Sequence, residues 1–262
     1  MPKASDHTKS PLVKMLLIGN SGAGKTGALA PLVAAGYKIK ILDFDNGLDA
    51  LFALVRQIDP KLLDNIEYES FRDRIKMSQQ GPSVVGAPRA YVSALKALEK
   101  WPVDDSSPDE WGQDTILVID SLTNAGLAAF RWAQGMNPTA KEQRQWFFQA
   151  QNVIQDLIAN VTDESFRTNV IVISHIELVD TAMGLKGYVS AIGKALGPKL
   201  PRFFNTMVLS ETTGSGKNVR RKLKTLPTAM IDVKTGAPGK VADEYDVVDG
   251  GLAKLFEDLK AS

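Results

Sequence analysis

GNSGAGKT is the stretch that follows the apolar segment LVKMLLI, and it comprises Gly19, Asn20, Ser21, Gly22, Ala23, Gly24, Lys25 and Thr26. Its spacing, G-x-x-x-x-G-K-[ST], is typical of a phosphate-binding loop between a strand and a helix. Glycine tolerates positive φ, so Gly22 and Gly24 let consecutive backbone N–H groups turn towards one phosphate. Residues 19–26 therefore predict a P-loop, with a strand over 12–18 before it and a helix over 25–35 after it.

Two side chains of this loop carry the predicted chemistry. Lys25 can reach the β- and γ-phosphates of a nucleotide, and the hydroxyl of Thr26 is placed to ligate Mg²⁺. The expected ligands are therefore ATP and Mg²⁺. The alternative, a glycine-rich turn with an incidental lysine, is the weaker interpretation because the full pattern stands between a strand-like and a helix-like segment.

Composition excludes several other kinds of protein. The chain of 262 residues has no cysteine, which excludes disulfides and thiolate metal sites, and its two histidines are too few for a usual zinc site. No apolar run approaches the roughly 20 residues of a membrane span, and the first residues lack the apolar core of a signal peptide. We therefore expect a cytoplasmic protein with no membrane partner. The net charge of +1 means that any nucleic-acid binding depends on local clusters.

Alternating strand-like and helix-like segments predict an α/β fold, a mostly parallel sheet flanked by helices on both faces. The predicted strands are 12–18, 38–43, 66–71, 115–120, 169–174 and 205–211. The predicted helices are 25–35, 47–57, 87–101 and 122–162, the last broken at Asn137-Pro138 and carrying Phe147 and Ile154 on one face. TMVLSE and VRRKLKTLP predict a late β-hairpin around TTGSGKN, and the tail DGGLAKLFEDLK predicts an amphipathic helix. We expect a disordered tail over 1–10 and one domain over 11–262.

Carboxylates end two of these strands. Asp120 ends TILVIDS, and in P-loop proteins the strand beside the phosphate loop carries such an aspartate, which holds Mg²⁺ or its water. The alternative is that Asp120 caps the next helix. Asp43 and Asp45 follow KIKIL, and alternation along a strand predicts that both lie on one face. One of them is placed to orient the water that attacks the γ-phosphate, and the other to cap helix 47–57. The alternative is that the pair serves only in capping.

A third strand, TNVIVIS, delivers Ser174 and His175 to the same edge of the sheet. At that edge His175 is placed to sense the γ-phosphate through a hydrogen bond, but a lone histidine is also compatible with a structural role.

Four segments, in this order, resemble the RecA-type ATPase core: the P-loop, LDFDNGLDAL, LVIDS and VIVISH. By that resemblance Asp45 takes the catalytic position, where the family usually has Glu, and Asp120 belongs to the Walker B strand. His175 stands where recombinases usually have Gln, at the residue that couples nucleotide state to a DNA-binding loop. Across residues 11–255 the chain is similar, more narrowly, to the Sak-four group of short phage-encoded single-strand annealing ATPases, which share the DFDNGLDAL-like, ISH and DVKTGAP segments.

The segment after His175 predicts a long, poorly periodic loop rich in glycine and lysine. In RecA-like proteins the corresponding loop contacts DNA, which implies phosphate contacts from lysines and stacking of Tyr188 on a base. The implied residues are Lys186, Tyr188, Lys194 and Lys199. A flexible surface loop with ordinary lysines is the alternative.

A second basic cluster lies in VRRKLKT. On a strand Arg220, Lys222 and Lys224 share one face, with Arg221 opposite. Three interpretations stay open: a phosphate-backbone patch, a set of residues that act in trans on a neighbour's γ-phosphate as in RecA-like filaments, and a charged edge strand.

The motifs predict an ATPase, and the resemblance implies that it is DNA-dependent and acts on single-stranded DNA in recombination. The resemblance implies a homo-oligomer or filament, with a single-strand-binding protein as a possible partner. One rival is a nucleotide-switched assembly or packaging factor that does not bind DNA. The other is a small-molecule kinase, which needs an arginine-rich lid where the 178–200 segment has glycine and lysine.

Overall fold

The computed structural model describes residues 10–79, 81–182 and 184–261, so the predicted disordered tail lies outside it except for Ser10. The main sheet has eight strands: β1 (Lys14–Gly19), β2 (Lys38–Asp43), β3 (Ile66–Ser70), β6 (Gly112–Asp120), β7 (Thr168–Ser174), β10 (Thr206–Thr213), β11 (Arg220–Lys224) and β12 (Glu244–Asp246). Two further pairs form separate hairpins, β4 (Ile75–Ser78) with β5 (Gly81–Val84) and β8 (Ile176–Thr181) with β9 (Gly184–Val189).

The strand order in the main sheet is β12-β11-β10-β1-β7-β6-β2-β3. The six strands from β10 to β3 are parallel, whereas β11 pairs antiparallel with both β10 and β12. The predicted fold class, a mostly parallel sheet flanked by helices with a late β-hairpin, is confirmed.

Helices cover both faces of the sheet. They are α1 (Ala30–Ala34), α2 (Asp49–Ile58), α3 (Ala90–Glu99), α4 (Leu122–Met136), α5 (Arg144–Thr162) and α6 (Gly251–Lys260). The apolar sides of α1, α2 and α6 pack on one face, and those of α3, α4 and α5 pack on the other. Because both faces are covered, the central strands β1 and β7 are buried along their whole length, as their continuous apolar runs indicate.

The predicted helices agree with the structure except after the P-loop. There a 3-10 turn over Gly27–Leu29 precedes the five-residue α1, so the helix predicted over 25–35 is much shorter. Pro31 has no N–H to donate to the preceding turn, which favours this late start. The break in the 122–162 region lies between α4 and α5, as Asn137-Pro138 predicted. Among the described helices, none is long and apolar enough to cross a bilayer.

The prediction of a long irregular loop after His175 is wrong. Ile176–Thr181 and Gly184–Val189 pair antiparallel as the β8–β9 hairpin, and a 3-10 segment, Gly197–Phe203, follows. Only the last four residues of β9 alternate between partly exposed and buried positions, a short period-2 pattern that the sequence GLKGYV does not show in its polarity. The β4–β5 hairpin was not predicted. Both hairpins follow the carboxyl ends of parallel strands, the edge of the sheet at which ligands bind in open α/β folds.

Candidate functional site

The P-loop has the backbone that phosphate binding requires. Gly22 and Gly24 adopt positive φ, at 77° and 88°. The buried side chain of Lys25 lies along the loop, and its Nζ donates to the carbonyl oxygens of Gly19 and Asn20, both at 2.9 Å. Burial lowers the pKa of Lys25, while the neighbouring carboxylates of Asp120 and Asp45 act in the opposite direction. The ammonium group is therefore held at the point where phosphate oxygens would lie.

Asp120 joins the loop through a hydrogen bond from Thr26, whose Oγ1 lies 2.6 Å from Asp120 Oδ2. Its strand, β6, is not adjacent to β1 in the sheet, because β7 lies between them. The P-loop therefore reaches across the end of β7 to make this contact. Asp120 does not cap α4 either, since Ser121 is the N-cap residue and has no side-chain capping bond. Burial raises the pKa of Asp120 to about 6.

Asp43 and Asp45 do not share one face. Asp43 is the last residue of β2, is buried, and forms an ion pair with Arg72 at 2.5 Å. It also accepts hydrogen bonds from Ser70 Oγ and from the backbone N–H groups of Asp45 and Asn46. These contacts close a turn, with Asn46 at a φ of 64°, and the turn carries Asp45 off the strand. Neither carboxylate caps α2, so the capping alternative does not account for the pair.

Asp45 instead faces the P-loop. Its Oδ1 accepts from Ser121 Oγ at 2.7 Å and from Asn124 Nδ2 at 2.6 Å. Both donors come from the junction of β6 and α4, next to Asp120. Two donors on one oxygen fix the orientation of the carboxylate, and no hydrogen bond to Oδ2 is formed by the part of the chain that the structure describes.

His175 follows β7 directly and is half-buried beside the same group of residues. Its Nδ1 lies 3.3 Å from Thr123 Oγ1. Burial lowers the pKa of His175, and the Lys25 ammonium lowers it further, against the opposite effect of Asp45. The ring is therefore neutral at neutral pH, with one nitrogen able to donate and the other able to accept a hydrogen bond.

These side chains line one cleft of about 730 Å³, whose walls include Lys25, Thr26, Asp45, Asp120 and His175. Beyond the P-loop the cleft becomes apolar. That part is lined by Ala30, Pro31, Ala50, Ala53, Leu54, Ile58, Val247 and Val248. A charged end and an apolar end in one cleft of this size suit a nucleotide, with its phosphates at Lys25 and its base on the apolar wall.

Arg221 contacts the P-loop, a role that the sequence did not predict. Alternation placed it on the face of β11 opposite Arg220, Lys222 and Lys224. Its Nε donates to the carbonyl oxygen of Gly22 at 3.3 Å, and its aliphatic part lies against Gly24. Arg221 shares the face of β11 that holds the buried Leu223, the side covered by α1 and α6. The alternation of the strand was visible in the sequence, but the side of the sheet that holds the P-loop was not.

The other three basic residues of β11 do share a face, as alternation predicted. Lys224 pairs with Glu211 at 2.6 Å, and Lys222 pairs with Glu244. Arg220 is exposed and forms no ion pair with any described residue. A role in trans remains a prediction for this face, with Arg220 its most available cation.

The residues predicted to contact nucleic acid are distributed over two elements. Lys186 and Tyr188 lie on β9, where Lys186 is 3.5 Å from Asp232 and Tyr188 is half-buried opposite Glu177. Lys194 and Lys199 are exposed on the segment that follows the hairpin. Their role in nucleic-acid binding remains a prediction.

The site offers few protein ligands for Mg²⁺, and these are compatible with the way that nucleotide sites hold this ion. Among the residues that the structure describes, no three His, Cys, Asp or Glu side chains form a metal-binding group. Mg²⁺ in nucleotide sites is usually held by one or two protein oxygens, phosphates and water. The hydroxyl of Thr26 and the carboxylate of Asp120, 2.6 Å apart beside Lys25, are a suitable pair of oxygens for this arrangement.

Comparisons with known proteins place the chain in a family. Among solved structures, a KaiC-like protein of Pyrococcus horikoshii OT3 has 13% sequence identity and a TM-score of 0.42, with 89% of this chain and 84% of that chain covered. The flagellar accessory protein FlaH of Methanocaldococcus jannaschii has 8% identity and a TM-score of 0.45, with the same coverage of 89% and 84%. A search of curated proteins finds no match. A family profile described as an AAA domain matches residues 12–236, which is most of the chain. The protein therefore belongs to this AAA domain family.

Proposed function

We propose that this protein binds and hydrolyses ATP with Mg²⁺ and acts on single-stranded DNA in recombination, by annealing or strand pairing. The observation that carries the ATPase part is the convergence of Lys25, the Thr26–Asp120 pair, Asp45 and His175 in one cleft. The recombination part rests on the resemblance to the short phage-encoded annealing ATPases and on the basic segment after His175.

Each side chain has a distinct part in the proposed hydrolysis. Lys25 neutralises charge on the β- and γ-phosphates, and Thr26 and Asp120 would hold Mg²⁺, which when bound would supply further neutralisation. Asp45 orients the attacking water through Oδ2, because Ser121 and Asn124 both donate to Oδ1. No covalent intermediate is required. We propose that the turn at Asn46, which moves Asp45 off β2 and towards the P-loop, offsets the shorter reach of Asp relative to Glu.

Hydrogen bonds connect His175 to the β8–β9 hairpin, which begins at the next residue. The N–H of Ser190, at the end of the hairpin, donates to the carbonyl oxygen of His175 at 2.8 Å. Thr123 Oγ1 donates to the carbonyl oxygen of Ser190 at 3.1 Å and also lies beside the His175 ring. A phosphate that moves the ring would therefore also move the base of the hairpin. We propose this connection as the route by which nucleotide state affects DNA binding.

One observation favours the rival assembly factor. Leu178 and Leu185 are exposed apolar residues of the β8–β9 hairpin, and exposed apolar side chains suit a protein partner better than a phosphate backbone. In that case the same hairpin would respond to nucleotide by contacting protein. A homo-oligomer or filament, with Arg220, Lys222 and Lys224 directed towards a neighbour, is compatible with both functions. A single-strand-binding protein is a proposed partner only of the first.

The test is ATP turnover and ATP binding, with and without single-stranded DNA. Asp45→Asn should reduce kcat about 100-fold or more with ATP affinity little changed, because it removes only the water-orienting charge. Lys25→Ala should lose both binding and turnover. Asp64→Asn, the same charge change at an exposed position outside the cleft, is the control. Normal turnover in Asp45→Asn would overturn its catalytic role. Wild-type protein that binds no single-stranded DNA at low salt, with or without ATP, would leave the assembly factor as the better proposal.

A further inference from the structure

The first half of α5 leaves aromatic side chains exposed at the protein surface. Phe148 is 68% exposed and Phe147 is 37% exposed, although the sequence placed Phe147 on one helical face with the buried Ile154. The Phe147 ring packs against the Phe130 ring, with centroids 4.5 Å apart. Phe148 is the next residue of the helix, and we find no ring contact for it among the described residues. Phe147 and Phe148 together form a small exposed apolar patch, a kind of surface on which ligands bind.

The basic segment that follows the β8–β9 hairpin lies against the same helix. Gln151 Nε2 donates to the carbonyl oxygen of Ile192 at 3.1 Å, and Arg202 Nη2 lies 3.4 Å from Gln155 Oε1. Phe147, Gln151 and Gln155 are spaced by four residues and therefore lie in one row along α5. At the Phe147 end of this row, Gly193 lies against the Phe147 ring and the Gln151 amide. Lys194 follows Gly193 directly, so one of the lysines predicted to bind DNA is next to the exposed aromatic residues.

Four exposed cations lie on α5 or on the segment that packs against it. Arg144 is one helical turn before Phe148, and Lys194, Lys199 and Arg202 come from the adjoining segment. None of the four forms an ion pair within residues 10–79, 81–182 and 184–261. Lys186 differs from them because it lies near Asp232. We call this surface the α5 patch and define it as Arg144, Phe147, Phe148, Lys194, Lys199 and Arg202.

We propose that the α5 patch is a binding surface for single-stranded nucleic acid, with Phe148 as a platform on which a base stacks and the four cations on the phosphates. This proposal rests on the proposed function and assigns it a surface. Unpaired cations complement a phosphate backbone, and exposed rings complement unpaired bases, which a duplex does not offer. None of the four cations is neutralised by a described carboxylate, which favours a polyanion as the occupant of this surface.

The decisive experiment compares Phe148→Ala with wild type on two labelled oligonucleotides of equal length, a poly-dT strand and an abasic strand. Stacking on an aromatic residue is worth about 1–3 kcal/mol per base, so affinity for poly-dT should fall roughly 5- to 150-fold. The abasic strand has the same phosphates and no bases, so its affinity should not change. Phe148→Trp should restore poly-dT binding. Val103→Ala is the matched control, because Val103 is 67% exposed and lies in the loop before β6, outside the α5 patch.

The salt dependence tests the cations separately. Each phosphate contact on a single strand adds about 0.7 to the slope of log affinity against log salt concentration. Arg144→Gln with Lys194→Gln should therefore lower the slope by about 1.4, whereas Phe148→Ala should leave it unchanged.

Failure of this inference differs from failure of the proposed function. Wild-type protein that binds neither oligonucleotide would reject the proposed function and this surface with it. If wild type binds poly-dT and Phe148→Ala binds it equally well, DNA lies elsewhere and only this inference is wrong. A fall in oligomeric mass on light scattering in Phe148→Ala, with unchanged affinity per protomer, would show that a second copy covers the patch, and would also overturn the proposal.

Discussion

Replacing Asp120 by Asn should abolish ATP hydrolysis and, at the same time, stabilise the nucleotide-free protein. Asp120 is buried, and burial raises its pKa from 3.8 to about 6, despite the hydrogen bond from Thr26 that favours the charged form. A shift of about two units corresponds to about 3 kcal/mol, at about 1.4 kcal/mol per unit. The wild-type fold bears this cost because the carboxylate is charged at neutral pH and buried beside two other aspartates.

The sign of the pH dependence follows from linkage. Between about pH 4 and pH 6 the folded state holds the Asp120 proton that the unfolded state has released, so stability falls as pH rises through that window. Above it the full cost is present. Asp120→Asn removes the titrating group, so its advantage should be about 3 kcal/mol at pH 8 and about half of that at pH 5. For a chain of this size the gain at pH 8 corresponds to roughly 6–12 °C in Tm.

The assay is thermal or urea unfolding of nucleotide-free protein in a chelator at pH 8 and pH 5. The control is Asp43→Asn, because Asp43 is the register partner of Asp120 on the adjacent strand and is equally buried. Its carboxylate is paired with Arg72, so Asp43→Asn should destabilise the fold by about 1.5–3 kcal/mol. Unchanged or lower stability of Asp120→Asn at pH 8 would refute the reasoning that the site retains an unfavourable charge for the sake of Mg²⁺.

Two further variants test other parts of the structure. Lys14→Met should lower the free energy of unfolding by about 3 kcal/mol or more, because Lys14 Nζ donates to three backbone carbonyl oxygens, at 2.6–2.9 Å, that would lose this donor. Urea titration measures the change, and Lys38→Met, at an exposed position, is the control. Equal midpoints for Lys14→Met and wild type would contradict the prediction. Gly24→Ala should weaken ATP binding about tenfold, since a φ of 88° strains alanine by about 1–2 kcal/mol and its methyl group would displace Arg221. Calorimetric titration with ATP measures the effect, and unchanged affinity would show that the loop tolerates a side chain there.

Local patterns identified the elements of this protein well. The P-loop could be predicted because its chemistry depends on consecutive residues, and a glycine that needs positive φ needs it in any fold. The strands could be predicted because strands buried on both faces are continuous apolar runs. The β8–β9 hairpin was missed because its side chains alternate only weakly in polarity, and the β4–β5 hairpin because it is exposed almost throughout. Exposed strands have no buried face to impose a pattern on the sequence.

The sequence by itself therefore determined the class of fold, the phosphate-binding loop and the set of polar residues at the carboxyl ends of the strands. Only the tertiary structure decided how those residues divide between structure and chemistry. Asp43 and Asp45 differ because they have different partners. Arg72, which follows β3, forms an ion pair with Asp43, whereas Ser121 and Asn124 donate hydrogen bonds to Asp45. Asp120 reaches Thr26 across an intervening strand, and the direction of β11 brings Arg221 to Gly24. Each of these contacts joins residues at least 25 positions apart, so strand order and packing, which no local pattern records, determine it.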